Sequence, residues 1–262
     1  MITSKANPRI KNIIKLQKAS ERISQGLFVV EGFREIDRAI RSGYQLMELY
    51  HCEELTKPYQ LESLFDNLPK FTGLENVTLD VFEKMAYREG SDGLIAVFKS
   101  KYNELSELKL SSNPLIIVLE AVEKPGNLGA VLRTADAAGV DAVILCNPLP
   151  DLYNPNTIRA SLGCIFAIQI ATTTSEKAIE WLQQKEIDIY CTYLEASVDY
   201  RTVDYTHSSA IVMGAESTGI TKPWISSAKQ NIIITMRGIA DSLNVSVSSA
   251  IVVFEALRQR KK

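Results

Sequence analysis

In the second half of the chain six short runs are apolar almost from end to end. They are PLIIVLEA (114–121), DAVILC (141–146), FAIQIA (166–171), IDIYCTYL (187–194), AIVMG (210–214) and NIIITM (231–236). Each has the length of a strand, and none alternates polar with apolar residues as a half-exposed strand does. Strands of this kind are buried on both faces, which happens almost only in parallel sheets covered by helices. Helical patterns lie between most of them, including 127–138 and 175–185. The second half is therefore expected to be an α/β domain built on a parallel sheet, and no internal repeat is present.

The first hundred residues form a smaller α/β pattern. LFVVEG (27–32), QLMELY (45–50) and GLIAVFK (93–99) read as strands, and a helix runs through Phe33, Ile36 and Ile40 to Gly43. The polar stretch KSKYNELSELKLSSNP (99–114) has the composition of a linker, which divides the chain into domains 1–104 and 105–262. At the start, Asn7-Pro8 is a helix-opening pair. Beyond it Ile10, Ile13 and Ile14 share one face, while Lys11, Lys15, Lys18 and Arg22 recur at i, i+4, i+7 and i+11 on another. This basic stripe is either a solvated face or a row of phosphate contacts.

Bulk composition excludes several classes. The chain has 262 residues, of which 46% are hydrophobic and 23% charged, an ordinary globular make-up. With 29 basic against 31 acidic residues the net charge is -2, so a nucleic-acid partner would need a local basic surface. The cysteines at 52, 146, 164 and 191 form no CxxC pair, and His51 and His207 lack metal-site spacing, so no metal is expected. No run approaches the roughly 18 apolar residues of a membrane span, and the N-terminus has no apolar signal core. A cytoplasmic protein with reduced thiols is the expectation.

Three segments that follow strands depart from ordinary loop composition. In EKPGNLGAVLRTADAAG (123–139), Pro125, Gly126 and Gly129 shape a strand-to-helix turn, Asn127 reads as the N-cap, and Arg133 falls about 1.5 turns into the helix. In GAESTGI (214–220), Gly214 and Gly219 permit close backbone approach and Glu216 offers an acceptor. Neither GxxxxGK[ST] nor GxGxxG is present. In IITMRGIADSLNVSVSSA (233–250), a last helix is expected to open at Ser242. There Ser242, Asn244, Ser246 and Ser248 alternate with Leu243, Val245 and Val247. These are mediocre helix formers, and the ladder of hydroxyls and an amide suggests a polar cradle for a ligand.

Together NLGAVLRTA, GAESTG and ITMRGIADSLNVSVSSA, in this order after strands, closely resemble the SpoU-type (TrmH-like) ribose 2′-O-methyltransferases of the SPOUT superfamily. FVVEGFREIDRAI and REGSDGLIAV are similar to the substrate-binding domain that precedes the catalytic domain in many members. The resemblance implies a small α/β RNA-binding domain followed by a parallel-sheet catalytic domain with a deep C-terminal trefoil knot, a rare exception to the usual connection rules. It also implies a homodimer that uses S-adenosylmethionine as cofactor and RNA as partner. Carried over, the cofactor pocket comprises Leu194, Gly214, Glu216, Ile234, Met236, Leu243 and Asn244.

The implied reaction is an in-line attack of a ribose 2′-hydroxyl on a sulfonium methyl, with Arg133 activating the hydroxyl. An arginine does not normally act as a base, so its part is either that of a base made unusual by the site or that of a cation stabilising a developing alkoxide. Asn127 and Ser242 are the expected partners that orient it, with Asn244 in the same motif. Thr235 and Ser248 stand where the family commonly has proline and alanine. Members with such an N-terminal domain often modify large-subunit ribosomal RNA, which favours rRNA over tRNA. The rival reading is a non-catalytic RNA-binding or ribosome-assembly protein that retains the fold, and a small-molecule methyltransferase fits poorly with the N-terminal domain.

Overall fold

A computed structural model describes residues 1–68, 71–122, 124–147, 151–195, 197–215 and 218–260. The chain opens with α1 (Pro8–Lys15), α2 (Ala19–Gln25), β1 (Leu27–Glu31), α3 (Phe33–Arg41) and β2 (Leu46–His51). α4 (Pro58–Asp66), β3 (Leu74–Asn76), α5 (Leu79–Met85) and β4 (Leu94–Lys99) follow. Next come β5 (Leu115–Glu120), α6 (Pro125–Ala138), β6 (Ala142–Cys146), α7 (Pro155–Ala160), β7 (Ile170–Thr173), α8 (Ser175–Gln184) and β8 (Asp188–Thr192). β9 (Val198–Asp199), β10 (Ser209–Met213), α9 (Lys222–Ser227), β11 (Gln230–Ile233) and α10 (Val245–Arg260) complete it.

These elements pack as two units, Met1–Lys101 with Asp151–Ala167, and Tyr102–Pro150 with Ile168–Lys262. A cut near residue 104 thus misses the segment 151–167, which joins the first unit. Tyr153 explains why: its ring stacks on Phe28 with centroids 4.0 Å apart, and its hydroxyl accepts the Lys101 N–H at 3.0 Å. In the same segment the Leu162 carbonyl accepts from Arg38 at 2.6 Å.

The first unit carries a four-stranded sheet in the order β1-β4-β2-β3. β4 runs antiparallel to both neighbours, and β2 and β3 are parallel. Ile10, Ile13 and Leu16 of the N-terminal segment pack against Phe82 of α5 and Tyr50 of β2. The long basic helix expected there is in fact two. Asn7 caps α1 through its side chain, which accepts the Arg9 N–H at 2.9 Å, but the backbone is extended at Lys18 and α2 starts afresh. The break is held by Arg22, whose guanidinium donates to the freed Leu16 carbonyl at 2.6 Å and pairs with Asp151.

The second unit carries a seven-stranded sheet, β7-β6-β5-β10-β8-β11-β9, with every pair parallel. Alternate strand residues, including Ile116, Val118, Ile144 and Val212, pack on one face with Ala178 and Leu182 of α8 and Trp224 of α9. α6 and α10 pack on each other, α6 against β6 and α10 against β10. Helices on both sides account for strands without polar alternation. One strand lies later than FAIQIA suggests: 164–166 form a 3-10 turn and β7 begins only at Ile170. Successive strands run outward from β5 through β6 to β7, and the later ones lie on the other side of β5. The order therefore reverses between β5 and β10, and in open α/β sheets ligands bind at such a point, outside the carboxyl ends of the strands.

Candidate active site

A cleft of about 380 Å³ opens at the carboxyl ends of β8, β10 and β11. Its walls come from 192–195 after β8, 213–215 and 218–220 after β10, 232–234 with Met236 at the end of β11, and 241–243 with Val245 and Ser248 leading into α10. Of the residues expected to hold a cofactor, Leu194, Gly214, Ile234, Met236 and Leu243 line it, together with Ser242. Glu216 lies outside the described residues. Asn244 does not line the cleft; its side chain is engaged elsewhere.

The loop after β10 is tight for a steric reason. A β-carbon on Gly214 would stand 2.3 Å from the carbonyl carbon and oxygen of Gly219, so only glycine allows the two backbones to approach. Gly219, at φ 68°, takes a left-handed turn and donates its N–H to the Ala215 carbonyl at 2.9 Å. Ile220 then drops into the core.

Residues 234–244 are irregular, and the last helix begins at Val245, not at Ser242. Asn244 is its N-cap: Oδ1 accepts the Ser246 N–H at 2.9 Å and the Ser246 hydroxyl at 2.6 Å. Its Nδ2 donates to Asn127 Oδ1 at 3.1 Å. The polar ladder is therefore a cap joined to an exposed loop, since capping groups compete with helix in the segment before them. Asn127 is likewise not the cap of α6, which starts at Pro125 after Lys124; it sits in the first helical turn, where its side chain meets Asn244.

Arg133 lies further along α6 with an exposed side chain, and among the described residues no hydrogen bond or ion pair joins it to Ser242 or Asn127. Asn127 and Asn244 are brought together, and Asn127 lies on the same helix that carries Arg133. Sequence reasoning also passed over the polar side chains of the cleft, Tyr193, Glu195 and Asp241. The Glu195 carboxylate raises the Tyr193 phenol above its ordinary value and accepts its hydroxyl at 3.3 Å. Thr235, at the edge, donates to Asp199 Oδ2 at 3.4 Å. Arg201, on the same carboxylate at 2.8 Å, keeps Asp199 well below the usual carboxylate range. No motif signal marked these residues.

In the first unit Lys11, Lys15 and Lys18 are exposed. Arg22 is 3% exposed, and its guanidinium is committed to Leu16 and Asp151, so it is a structural residue and not a phosphate contact. The four cations do not share one helix face, because the helix breaks between Lys15 and Ala19. Among the described residues no group of His, Cys, Asp or Glu could hold a metal ion, and no helix is long and apolar enough to cross a membrane.

Comparison with known proteins places this geometry. Residues 114–254 match the SpoU rRNA Methylase family, and residues 7–96 match the MRM3-like substrate binding domain. The 23S rRNA (guanosine(2553)-2'-O)-methyltransferase RlmP of Bacillus subtilis is 29% identical over 97% of this chain and 97% of its own length. The tRNA (guanosine(18)-2'-O)-methyltransferase of Escherichia coli is 38% identical over 62% of this chain and 71% of its own. The crystal structure of an AdoMet-bound rRNA methyltransferase from Sinorhizobium meliloti is 30% identical, covers 100% of this chain and 98% of its own, and superposes with a TM-score of 0.91. With more than half of its length matched by the family model, the chain is a member of the SpoU rRNA Methylase family.

Proposed function

We propose that the protein transfers a methyl group from S-adenosylmethionine to a ribose 2′-hydroxyl of RNA, with ribosomal RNA favoured over transfer RNA. The observation that carries this reading is the gathering of Gly214, Ile234, Met236, Ser242 and Leu243 around one cleft at the carboxyl ends of β8, β10 and β11. The cleft fits the cofactor: Ile234, Met236 and Leu243 offer apolar walls for a purine, the Gly214 turn brings backbone close, and Glu195 and Asp241 offer carboxylates to a cationic ligand. When bound, the cofactor supplies an electrophilic methyl on a sulfonium sulfur that leaves as a neutral thioether, so no metal is needed.

The chain's own residues bind and position. Asn244 fixes the start of α10 and holds Asn127 beside it. Arg133 presents an exposed cation on α6, suited to a substrate phosphate and to the charge developing on the 2′-oxygen. Ser242, at the lip of the cleft, is the hydroxyl available to orient RNA or the guanidinium. Much of the rate gain comes from holding two reactants in line.

Ribosomal RNA is favoured because the rRNA enzyme matches over both units, whereas the tRNA enzyme matches over 62% of this chain. In this reading the first unit grips RNA with Lys11, Lys15 and Lys18. The C-terminal segment threads the family's knot, and the enzyme works in the cytoplasm as a homodimer. Exposed Val247 and Phe254 on α10, with Val198 on the edge strand β9, favour a dimer. The non-catalytic reading is disfavoured by the retention of Arg133, Asn127 and Asn244 with the last two hydrogen-bonded.

The test is tritiated-methyl transfer from S-adenosylmethionine to total RNA lacking the modification, followed by nuclease mapping. A labelled 2′-O-methyl nucleoside in one large-subunit rRNA site is expected. Label confined to tRNA would overturn the rRNA preference, and no label with cofactor bound would establish the non-catalytic reading.

A further inference from the structure

Glu120, the last residue of β5, is 2% exposed, yet no cation pairs with it among the described residues. Burying a carboxylate costs on the order of several kcal/mol unless donors replace its water. Three neutral donors do so here. Ser175 Oγ donates to Oε1 at 2.7 Å, Thr221 Oγ1 donates to Oε1 at 2.7 Å, and the Thr221 N–H donates to Oε2 at 2.7 Å.

The partners lie at the carboxyl edge of the sheet on two connections, those after β7 and β10. Ser175 opens α8, and Thr221 ends the turn that began at Gly214. Glu120 itself precedes Ala121, which at φ 56° holds a left-handed conformation where the chain turns from β5 toward α6 and its Asn127 and Arg133. A non-glycine residue at such a φ persists only where its surroundings over-determine it. The carboxylate is felt by two buried thiols: Cys146, its register partner on β6, and Cys191 on β8 are both pushed up to about 12, first by burial and then by the Glu120 charge, while Ser175 draws Cys146 the other way.

We propose that Glu120 is a positioning residue for methyl transfer, whose buried carboxylate clamps the exit of the 214–221 turn to the end of β5 and so fixes the cofactor cleft relative to the helix that bears Asn127 and Arg133. This rests on the methyltransferase reading of the cleft. The clamp acts through Gly219 and Ile220, which line the cleft immediately before Thr221. An apolar residue of similar size would fill the volume but leave the Thr221 N–H buried against it without a partner.

The experiment compares wild type with Glu120→Gln and Thr221→Val, and with Thr221→Ser as the conservative variant. Amide hydrogen exchange of the cofactor-free protein, S-adenosylhomocysteine affinity by calorimetry, and steady-state kinetics with separate KM values for cofactor and RNA are read in parallel. In Glu120→Gln the Thr221 amide exchanges at least about tenfold faster. The dissociation constant and the cofactor KM rise by about tenfold or more, and the RNA KM is unchanged. Thr221→Val moves the same quantities less, Thr221→Ser restores them, and the double variant is no worse than Glu120→Gln alone. A merely structural role would instead lower the melting temperature and the active fraction while leaving the affinity of the folded protein intact, and that result overturns the proposal. Unchanged exchange at Thr221 overturns it as well. The exchange arm needs no cofactor, so a wild-type protein that bound no S-adenosylhomocysteine would sink the methyltransferase reading, separately from the clamp.

Discussion

Asn244 Nδ2 donates to Asn127 Oδ1 at 3.1 Å, joining side chains 117 positions apart in the chain. The same Asn244 caps α10 through its Oδ1, so one amide spends its acceptor on a helix start and its donor on a second helix. Replacing it loses both. Asn244→Ala is expected to cost about 1 kcal/mol of stability from the lost cap, and to depress methyl transfer much further than that stability loss explains. Thermal melts and initial rates on the same preparation check the split. If the Asn127→Ala and Asn244→Ala losses simply add in the double variant, the pair does not work as a unit.

Arg133 stands exposed on α6 without an ion pair among the described residues, as expected of a group kept for a substrate. Arg133→Ala is expected to retain cofactor affinity and melting temperature and to lose at least about a hundredfold in kcat, the scale of a removed transition-state donor. Calorimetry and single-turnover rates read the two apart. Wild-type turnover in the variant would remove Arg133 from the mechanism.

Arg22 and the three lysines near it should respond oppositely. Arg22→Ala breaks a buried ion pair and the capping of the Leu16 carbonyl, and is expected to cost about 3 kcal/mol of stability. Charge reversal of Lys11, Lys15 and Lys18 should leave stability within about 0.5 kcal/mol. It should weaken RNA binding and make its salt dependence shallower, by about 0.7–0.9 in log–log slope for each phosphate that is no longer neutralised. Urea melts and filter binding across a salt series are the measurements. Intact RNA affinity in the triple variant would leave the lysines as a solvated face.

Gly214 admits no side chain. Gly214→Ala forces the 214–219 turn open by placing a methyl 2.3 Å from Gly219 backbone atoms. Overpacking of this kind costs about 1–3 kcal/mol. The expected result is a folded protein whose S-adenosylhomocysteine affinity falls by about tenfold or more, measured by calorimetry.

Burial pushes the Cys146 and Cys191 thiols up to about 12 from an ordinary value of 9.0. The folded state thus holds protons that the unfolded chain releases above pH 9, and the sign follows. Stability is fully present below pH 9 and falls as pH rises toward 12, by about 1.4 kcal/mol per pH unit for each thiol. Urea unfolding between about pH 8 and 10.5 should show this loss, with a shallower slope in the Cys146→Ala/Cys191→Ala variant. An identical slope in that variant would show that other groups carry the alkaline sensitivity.

The sequence by itself determined the class of the second unit, because continuous apolar strands separated by helical patterns have few solutions other than a parallel sheet covered on both faces. It also marked two of the segments that line the cleft, those after β10 and before α10, since glycines and capping residues are needed wherever backbones approach closely or helices must start on time. The described residues of the third marked segment, 123–139, do not line it. Only the tertiary structure decided which atoms meet. The break after α1 is invisible in the lysine periodicity, because what stabilises it is Arg22 reaching a carbonyl six residues back and an aspartate 129 residues ahead. The packing of 151–167 with the first unit depends on Tyr153 finding Phe28, a contact no local pattern encodes. The pairing of Asn127 with Asn244 and the burial of Glu120 are of the same kind. Periodicity reports which face of an element is buried, but a side-chain hydrogen bond between distant loops exists only once the strands have been ordered.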